Sequence, residues 1–311
     1  MAIFEPLAAP NCWQPSALAA GPFAGLQGGA VASLLTAEVE ALAEERKWGT
    51  AVSATAWFLR PTPMASLRTQ LSVLTEGGRV SVVDNTLWAD GEAQPCATVR
   101  VTLSRERAVG LPGSVDTLGD ALDPTRFPVR TPHAGHGRPW FMDAMEARVG
   151  DDVAWFRLNH RIIDGAGPLS SVLGPADWTH GIARPFQNVV ADPNPNLTVQ
   201  LFRQPLGEWV GIRAQTRWQP ATGLESAAVP CSTCAARLAA SPCPSSWYRF
   251  PSLQRRQISR CGASFSSRPP SRPRHACWSA FDTGQATPLA PGLVPIFGSS
   301  RARWAAEGRL G

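Results

Sequence analysis

Two glycines ahead of an apolar run, and two arginines that each follow a strand-like run beside a proline, carry the side chains and spacing best suited to chemistry. Gly28-Gly29 opens Ala30-Val31-Ala32-Ser33-Leu34-Leu35. Residues without side chains at a helix start let backbone N–H groups approach a ligand; a plain loop-to-helix joint uses glycine in the same way. Arg60 follows Trp57-Phe58-Leu59 and precedes Pro61, while Arg203 follows Leu201-Phe202 and precedes Gln204-Pro205. A guanidinium so placed can grip a phosphate through paired hydrogen bonds, or can simply end a strand. Cys231-x-x-Cys234 with Cys243, Cys261, His275 and Cys277 offers thiolates and an imidazole. Their spacings form no paired zinc knuckles, so neither a metal nor another cofactor is expected.

The elements that must position these residues occur twice. Gly28 to Glu45 places Val31, Leu34, Leu35, Val39 and Leu42 at helical spacing, with Glu38, Glu44 and Glu45 off that face and expected in solvent. Strand-like runs follow at Ala51–Leu59, Leu67–Thr75, Val80–Trp88 and Cys96–Leu103, joined by turns at Gly77-Gly78 and Asp90-Gly91. The second copy has strand-like runs at Phe141–Val149 and Asp152–Ile163, then a helix from Leu169 to Ala183 with a potential break at Gly174-Pro175. Leu197–Arg203 and Trp209–Trp218 continue it as strands. Arg60 and Arg203 lie 143 positions apart, a period that suits two fused copies of a small α+β domain and not a solenoid. Residues 1–108 and 140–228 are the expected domains, with a Pro/Gly/Asp-rich linker over 109–139.

Composition changes near residue 225. Residues 1–225 are slightly acidic, whereas 226–311 carry 11 arginines against only Asp282 and Glu307, with five of the seven cysteines. Lys47 is the only lysine, which points to GC-rich coding DNA. Residues 229–311 show no period-2 or period-3.6 pattern and are expected to form a disordered tail. Out-of-frame translation of GC-rich DNA would produce such an Arg/Pro/Ser/Cys-rich run. The expected last strands of the second domain are then missing, leaving that domain incomplete. No signal peptide or membrane-length apolar run is found, so a cytoplasmic protein without membrane partner is expected. The arginine-rich tail is not read as a nucleic-acid site, because basic arms of that kind usually mix lysine with arginine.

Three segments carry a family resemblance: Trp57-Phe58-Leu59-Arg60-Pro61-Thr62-Pro63, Ala176-Asp177-Trp178-Thr179-His180-Gly181-Ile182, and Asn196-Leu197-Thr198-Val199 through Arg203, Pro205 and Gly207-Glu208-Trp209-Val210. In order and spacing they resemble the acyl-CoA thioesterase II-like family, over roughly residues 10–228. The resemblance implies a double hotdog: two antiparallel sheets, each wrapped around one long helix and joined edge to edge, with an acyl-CoA bound between the domains. It implies hydrolysis of the thioester to free acid and CoA, with Asp177 orienting or deprotonating the water and Thr198 supplying a hydroxyl. Gly28, Gly29, Arg60 and Arg203 would contact substrate. A third member, a Gln on the last strand, has no counterpart among Gln254, Gln257 and Gln285. Other roles stay open: Asp177 follows Gly174-Pro175-Ala176 and could cap a restarted helix, and Thr198 could be a packing residue of a strand.

Two alternatives accompany this reading. One is a catalytically inactive acyl-CoA-binding hotdog protein. The other rests on His160-Arg161-Ile162-Ile163-Asp164-Gly165, which is similar to the His-x-x-x-Asp-Gly signature of CoA-dependent acyltransferases, with His160 as base. A turn-forming Asp-Gly beside a surface histidine explains the same residues. Exposed sheet edges make a homo-oligomer plausible without setting its size.

Overall fold

A computed structural model describes residues 1–108, 123–130, 138–150, 153–179, 194–201, 203–205, 207–219, 224–230 and 237–239. The first domain is built on α1 (Gly28–Arg46). Gln27 precedes it in an extended conformation and its side chain accepts from the Ala30 N–H; Lys47 ends it in the left-handed region, φ 56°. Strands β1 (Phe4–Pro6) and β2 (Cys12–Pro15) come before the helix. After it come β3 (Thr50–Phe58), β4 (Leu67–Glu76), β5 (Val80–Ala89) and β6 (Ala97–Ser104), close to their expected bounds. The alternation that suggested strands also sets which face is buried. Val99, Val101 and Leu103 of β6 and Val83, Asn85 and Leu87 of β5 lie inside, while Thr98, Arg100, Asp84 and Thr86 face away.

Helix α1 has no solvated face before its last turns: Gly29 to Val39 are all buried. The sheet covers one side and the second domain's helix, α2 (Pro168–Ala176), covers the other. Glu38, expected in solvent, is therefore 7% exposed and enclosed by donors. Its Oε1 accepts from Trp13 Nε1 at 2.8 Å and Thr69 Oγ1 at 2.7 Å, and its Oε2 from Asn85 Nδ2 at 2.7 Å. Burial pushes its pKa up, and those three hydrogen bonds pull against the shift. Glu44 and Glu45 are exposed, as expected.

The second domain repeats the first. Short segments β7 (Val129–Arg130), β8 (Met145–Val149) and β9 (Ala154–Leu158) precede α2, and β10 (Asn196–Gln200) follows it. Part of the expected linker thus forms the edge strand β7, paired with β8. Phe141–Ala144, expected as strand, is a 3-10 turn. Helix α2 runs through Gly174-Pro175 without a break and puts Leu173, like Leu34 of α1, at full burial in one shared core. The expected strand over 209–218 is two strands, β11 (Trp209–Ile212) and β12 (Gln215–Gln219). The interruption at Arg213-Ala214 lets β11 pair with β9 in a four-stranded sheet while β12 joins the ten-stranded sheet.

The large sheet runs β1-β2-β4-β5-β6-β3-β10-β14-β13-β12, where β13 is Leu224–Pro230 and β14 is Arg237–Ala239. The order β3-β6-β5-β4 is thus mirrored by β10-β14-β13-β12. Closing strands that the sequence pattern did not reveal are present in the backbone, and they extend past residue 228. Of the tail expected to be disordered over 229–311, residues 229–230 and 237–239 are strand, and 231–236 and 240–311 lie outside the described residues. At the joint, β3 and β10 pair antiparallel with Thr55 opposite Thr198. Phe58 N donates to Pro195 O at 2.8 Å, and Leu201 N to Val52 O at 2.7 Å, two bonds related by exchange of the strands. Each domain also reaches into the other: Ile3 and Phe4 donate to Arg161 O and Ile162 O, and Phe141 donates to Ala20 O.

Candidate functional site

The start of α1 meets the end of α2. Asp177 is the residue after α2 and its own N–H closes that helix onto Leu173 O at 3.2 Å. Asp177 forms the turn between α2 and the helical residues Trp178 and Thr179, and its carboxylate sits on the first turn of α1. Asp177 Oδ2 accepts from Gly29 N at 2.9 Å and Gln27 Nε2 at 2.5 Å, and Oδ1 accepts from Asn194 Nδ2 at 2.9 Å. An anion there is favoured by the helix dipole and by unpaired N–H groups of the first turn. Of those groups, Gly29 donates to Asp177, Ala30 to Gln27 Oε1 and Val31 to Gln27 O. The Gly28 N–H meets no acceptor among the described residues.

The glycines are required by proximity. A Cβ on Gly29 would lie 2.8 Å from Gly174 O of the facing helix and 2.8 Å from Asp177 Cβ. One on Gly28 would lie 3.0 Å from Phe58 Cζ and 3.1 Å from Asp177 Oδ2. The first lets the helices touch; the second lets the Phe58 ring and the Asp177 carboxylate close in on the start of α1.

The structure thus brings Gly28, Gly29 and Asp177 together and adds two residues that sequence reasoning missed. Gln27 is buried and bridges: its oxygen caps α1 while its nitrogen holds Asp177. Its signal was its place immediately before Gly28-Gly29. Asn194 lies before β10, in Asn194-Pro195-Asn196, a loop segment without period. Thr198 is a residue of β10. It occupies the centre of the β3–β10 ladder, its Oγ1 3.3 Å from Thr55 Oγ1, between buried Leu197 and Val199. Asn194 lies four positions earlier in the chain, at most about 13 Å away at ~3.3 Å per residue of extended chain.

Arg60 and Arg203 lie beyond opposite ends of that ladder. Arg60, on the Asp177 side, pairs with Glu92 at 3.3 Å and donates to Gln94. Arg203 is half-buried beside Gln204, which donates to Ala51 O at 3.1 Å. His160 is half-buried in the connection from β9 to α2, where Asp164 is 83% exposed and bonds Arg161 at 2.9 Å. Gly165 turns there with φ +78°, so Asp164-Gly165 does form a turn. The cysteine and histidine positions of the tail lie outside the described residues, and among the described residues no cluster of three metal-ligating side chains occurs. Among them, too, no helix is long and apolar enough to cross a membrane.

Residues 18–104 match the family described as Acyl-CoA thioesterase N-terminal domain. No curated protein matches the chain in sequence. Among solved structures, a Thermobifida fusca protein assigned as a thioesterase II has a TM-score of 0.57 at 15% identity, covering 78% of this chain and 96% of that one. An acyl-CoA thioesterase II from Mycobacterium marinum has 0.53 at 13% identity, covering 80% and 96%. A hotdog-fold protein from Alicyclobacillus acidocaldarius has 0.51 at 16%, covering 75% and 90%. At these identities the structural likeness establishes the fold, a double hotdog. In matched residues and in fold, the chain's resemblance to the acyl-CoA thioesterase II-like hotdog family holds.

Proposed function

We propose that this chain hydrolyses an acyl-CoA thioester at the junction of α1 and α2. The observation that carries the reading is the Asp177 carboxylate seated on the Gly29 N–H and braced by the amides of Gln27 and Asn194, with Gly28 and the Phe58 ring beside it. Asp177 takes a proton from water as the water oxygen attacks the thioester carbon. Charge on the carbonyl oxygen is met by the Gly28 N–H at the positive end of α1. Collapse expels the CoA thiolate, which recovers the proton from Asp177, leaving free acid and CoA. Gln27 and Asn194 hold the carboxylate in one orientation, so less freedom is lost at the moment of attack. In this reading Asn194 supports Asp177, while the Thr198 hydroxyl bonds that of Thr55 on the facing strand. Arg60 remains the nearer candidate for a CoA phosphate, because it follows the same end of β3 as Phe58. The reading carries action in the cytoplasm on acyl groups of lipid metabolism.

Release of thiol from a panel of acyl-CoAs tests it. Hydrolysis by the wild type, with a loss of about 10²–10⁴-fold in Asp177→Asn, is the expected result. Binding without turnover would mark an inactive acyl-CoA-binding protein, and acyl transfer abolished by His160→Ala would mark an acyltransferase.

A further inference from the structure

The near-twofold relation between the domains creates a second place of the same kind. Exchange of β3 and β10 carries the start of α1 to the start of α2, and there a carboxylate from the opposite helix again lies on the first turn. Glu40 of α1 accepts from Leu169 N at 2.8 Å through Oε1, and from Gly167 N and Ser170 N at 3.1 Å each through Oε2. Gly167 makes room for it: a Cβ there would lie 2.6 Å from Glu40 Oε1.

The two places differ in what they leave over. At α1 a half-buried Asp accepts from one backbone N–H and, among the described residues, from two side-chain amides. At α2 the carboxylate takes three backbone N–H groups itself, and Ser170 Oγ turns to Gly167 O at 2.8 Å. Burial raises the Glu40 pKa, while the Ser170 hydroxyl and then those N–H groups oppose the rise. A charge held by three helix-start N–H groups is compensated well enough to stay in place.

We propose that Glu40 is a built-in plug: it fills the twin of the candidate site, ties the second helix to the first domain, and leaves the chain one ligand site instead of two. The identity of that ligand as acyl-CoA rests on the function proposed above; the plug itself does not.

Glu40→Ala removes the carboxylate and opens a hole lined by three N–H donors, of a size for a small carboxylate. Its melting temperature should fall by roughly 4 °C or more, on the scale of ~2–4 °C per kcal/mol for a chain of this size. Addition of 100 mM formate should restore at least half of that loss, with equal chloride restoring none and the wild type unmoved by either. Absence of formate rescue in a folded variant overturns the plug. Should Glu40→Ala fail to fold, Glu40→Gln keeps the volume but points an NH₂ at backbone donors; it must melt below the wild type at neutral pH, and equal stability overturns the inference. Calorimetric titration of the wild type with CoA should give one molecule per chain. Two per chain overturns the plug, whereas no binding at all overturns the proposed function and leaves the formate and Gln experiments to decide on Glu40.

Discussion

The two glycines at the start of α1 should separate stability from activity. Gly29→Ala would place a methyl 2.8 Å from Gly174 O, where ordinary contact begins at 3.4 Å. That oxygen belongs to the backbone of a packed helix, so relief requires α2 to retreat by about 0.6 Å along its contact with α1. Overpacking of this kind costs about 1–3 kcal/mol, and exchanging Gly for Ala in a helix returns about 0.5–1 kcal/mol. The expected net loss is about 1–2 kcal/mol, visible as a lower urea midpoint at unchanged slope. Gly28→Ala meets only the far edge of the Phe58 ring at 3.0–3.1 Å and Asp177 Oδ2 at 3.1 Å. A ring edge can tilt by a few tenths of an ångström, so stability should stay within about 1 kcal/mol of wild type. Its methyl would stand between Phe58 and the Asp177 carboxylate, where the thioester is proposed to approach, and hydrolysis should fall on the order of 10²-fold, the scale of an ångström-sized misplacement. Wild-type turnover by a stable Gly28→Ala would refute the placement of substrate. Wild-type stability in Gly29→Ala would refute the close contact of the helices.

Further tests probe the frame. Glu38 has a folded pKa above its ordinary value of 4.5, so its contribution is complete below that value and is lost as pH rises through the folded pKa. The stability difference between wild type and Glu38→Gln should therefore shrink on going upward from about pH 4.5, by at most ~1.4 kcal/mol per unit, and a pH-independent difference would contradict the raised pKa. Phe4→Ala, at a fully buried residue that also bridges to Ile162, should cost about 3–5 kcal/mol by urea titration. A chain ending after Ala239 keeps every described strand and should retain the wild-type unfolding midpoint; a lower midpoint would show that residues 240–311 contribute to the fold. Translation of the other two frames downstream of codon 225 should yield a short alternating strand containing Gln, and its absence from both would remove the frame-shift origin of the tail.

Legibility in the sequence followed pattern strength. The first domain's helix and four strands were readable because long alternating runs are joined by tight Gly-containing turns, which leave little freedom of register. The second domain was less readable. Its strands are five residues or fewer around α2, and β11 and β12 share one apolar run that the backbone divides at Arg213-Ala214. Glu38 and Glu40 were not recognised as interior because helical spacing reveals an apolar stripe, whereas α1 is enclosed by a sheet and a second helix. Asp177 was found by resemblance, not by its local pattern. Gln27 and Asn194 lie at a cap and in a loop, where position is set by partners 150 and 17 residues away and no periodicity marks them.

The reciprocal insertion of Ile3–Phe4 and Phe141 has a consequence for synthesis. The outer edge of the first strand finds its acceptors only when Arg161 and Ile162 have been made, half a chain later. At roughly 5–20 residues per second a ribosome needs on the order of ten to thirty seconds to supply them. During that interval a nascent N-terminal half exposes Ile3 and the α2-facing side of its long helix. Severing the gene between the halves would therefore give two polypeptides that need co-expression, each insoluble or chaperone-bound without its mate.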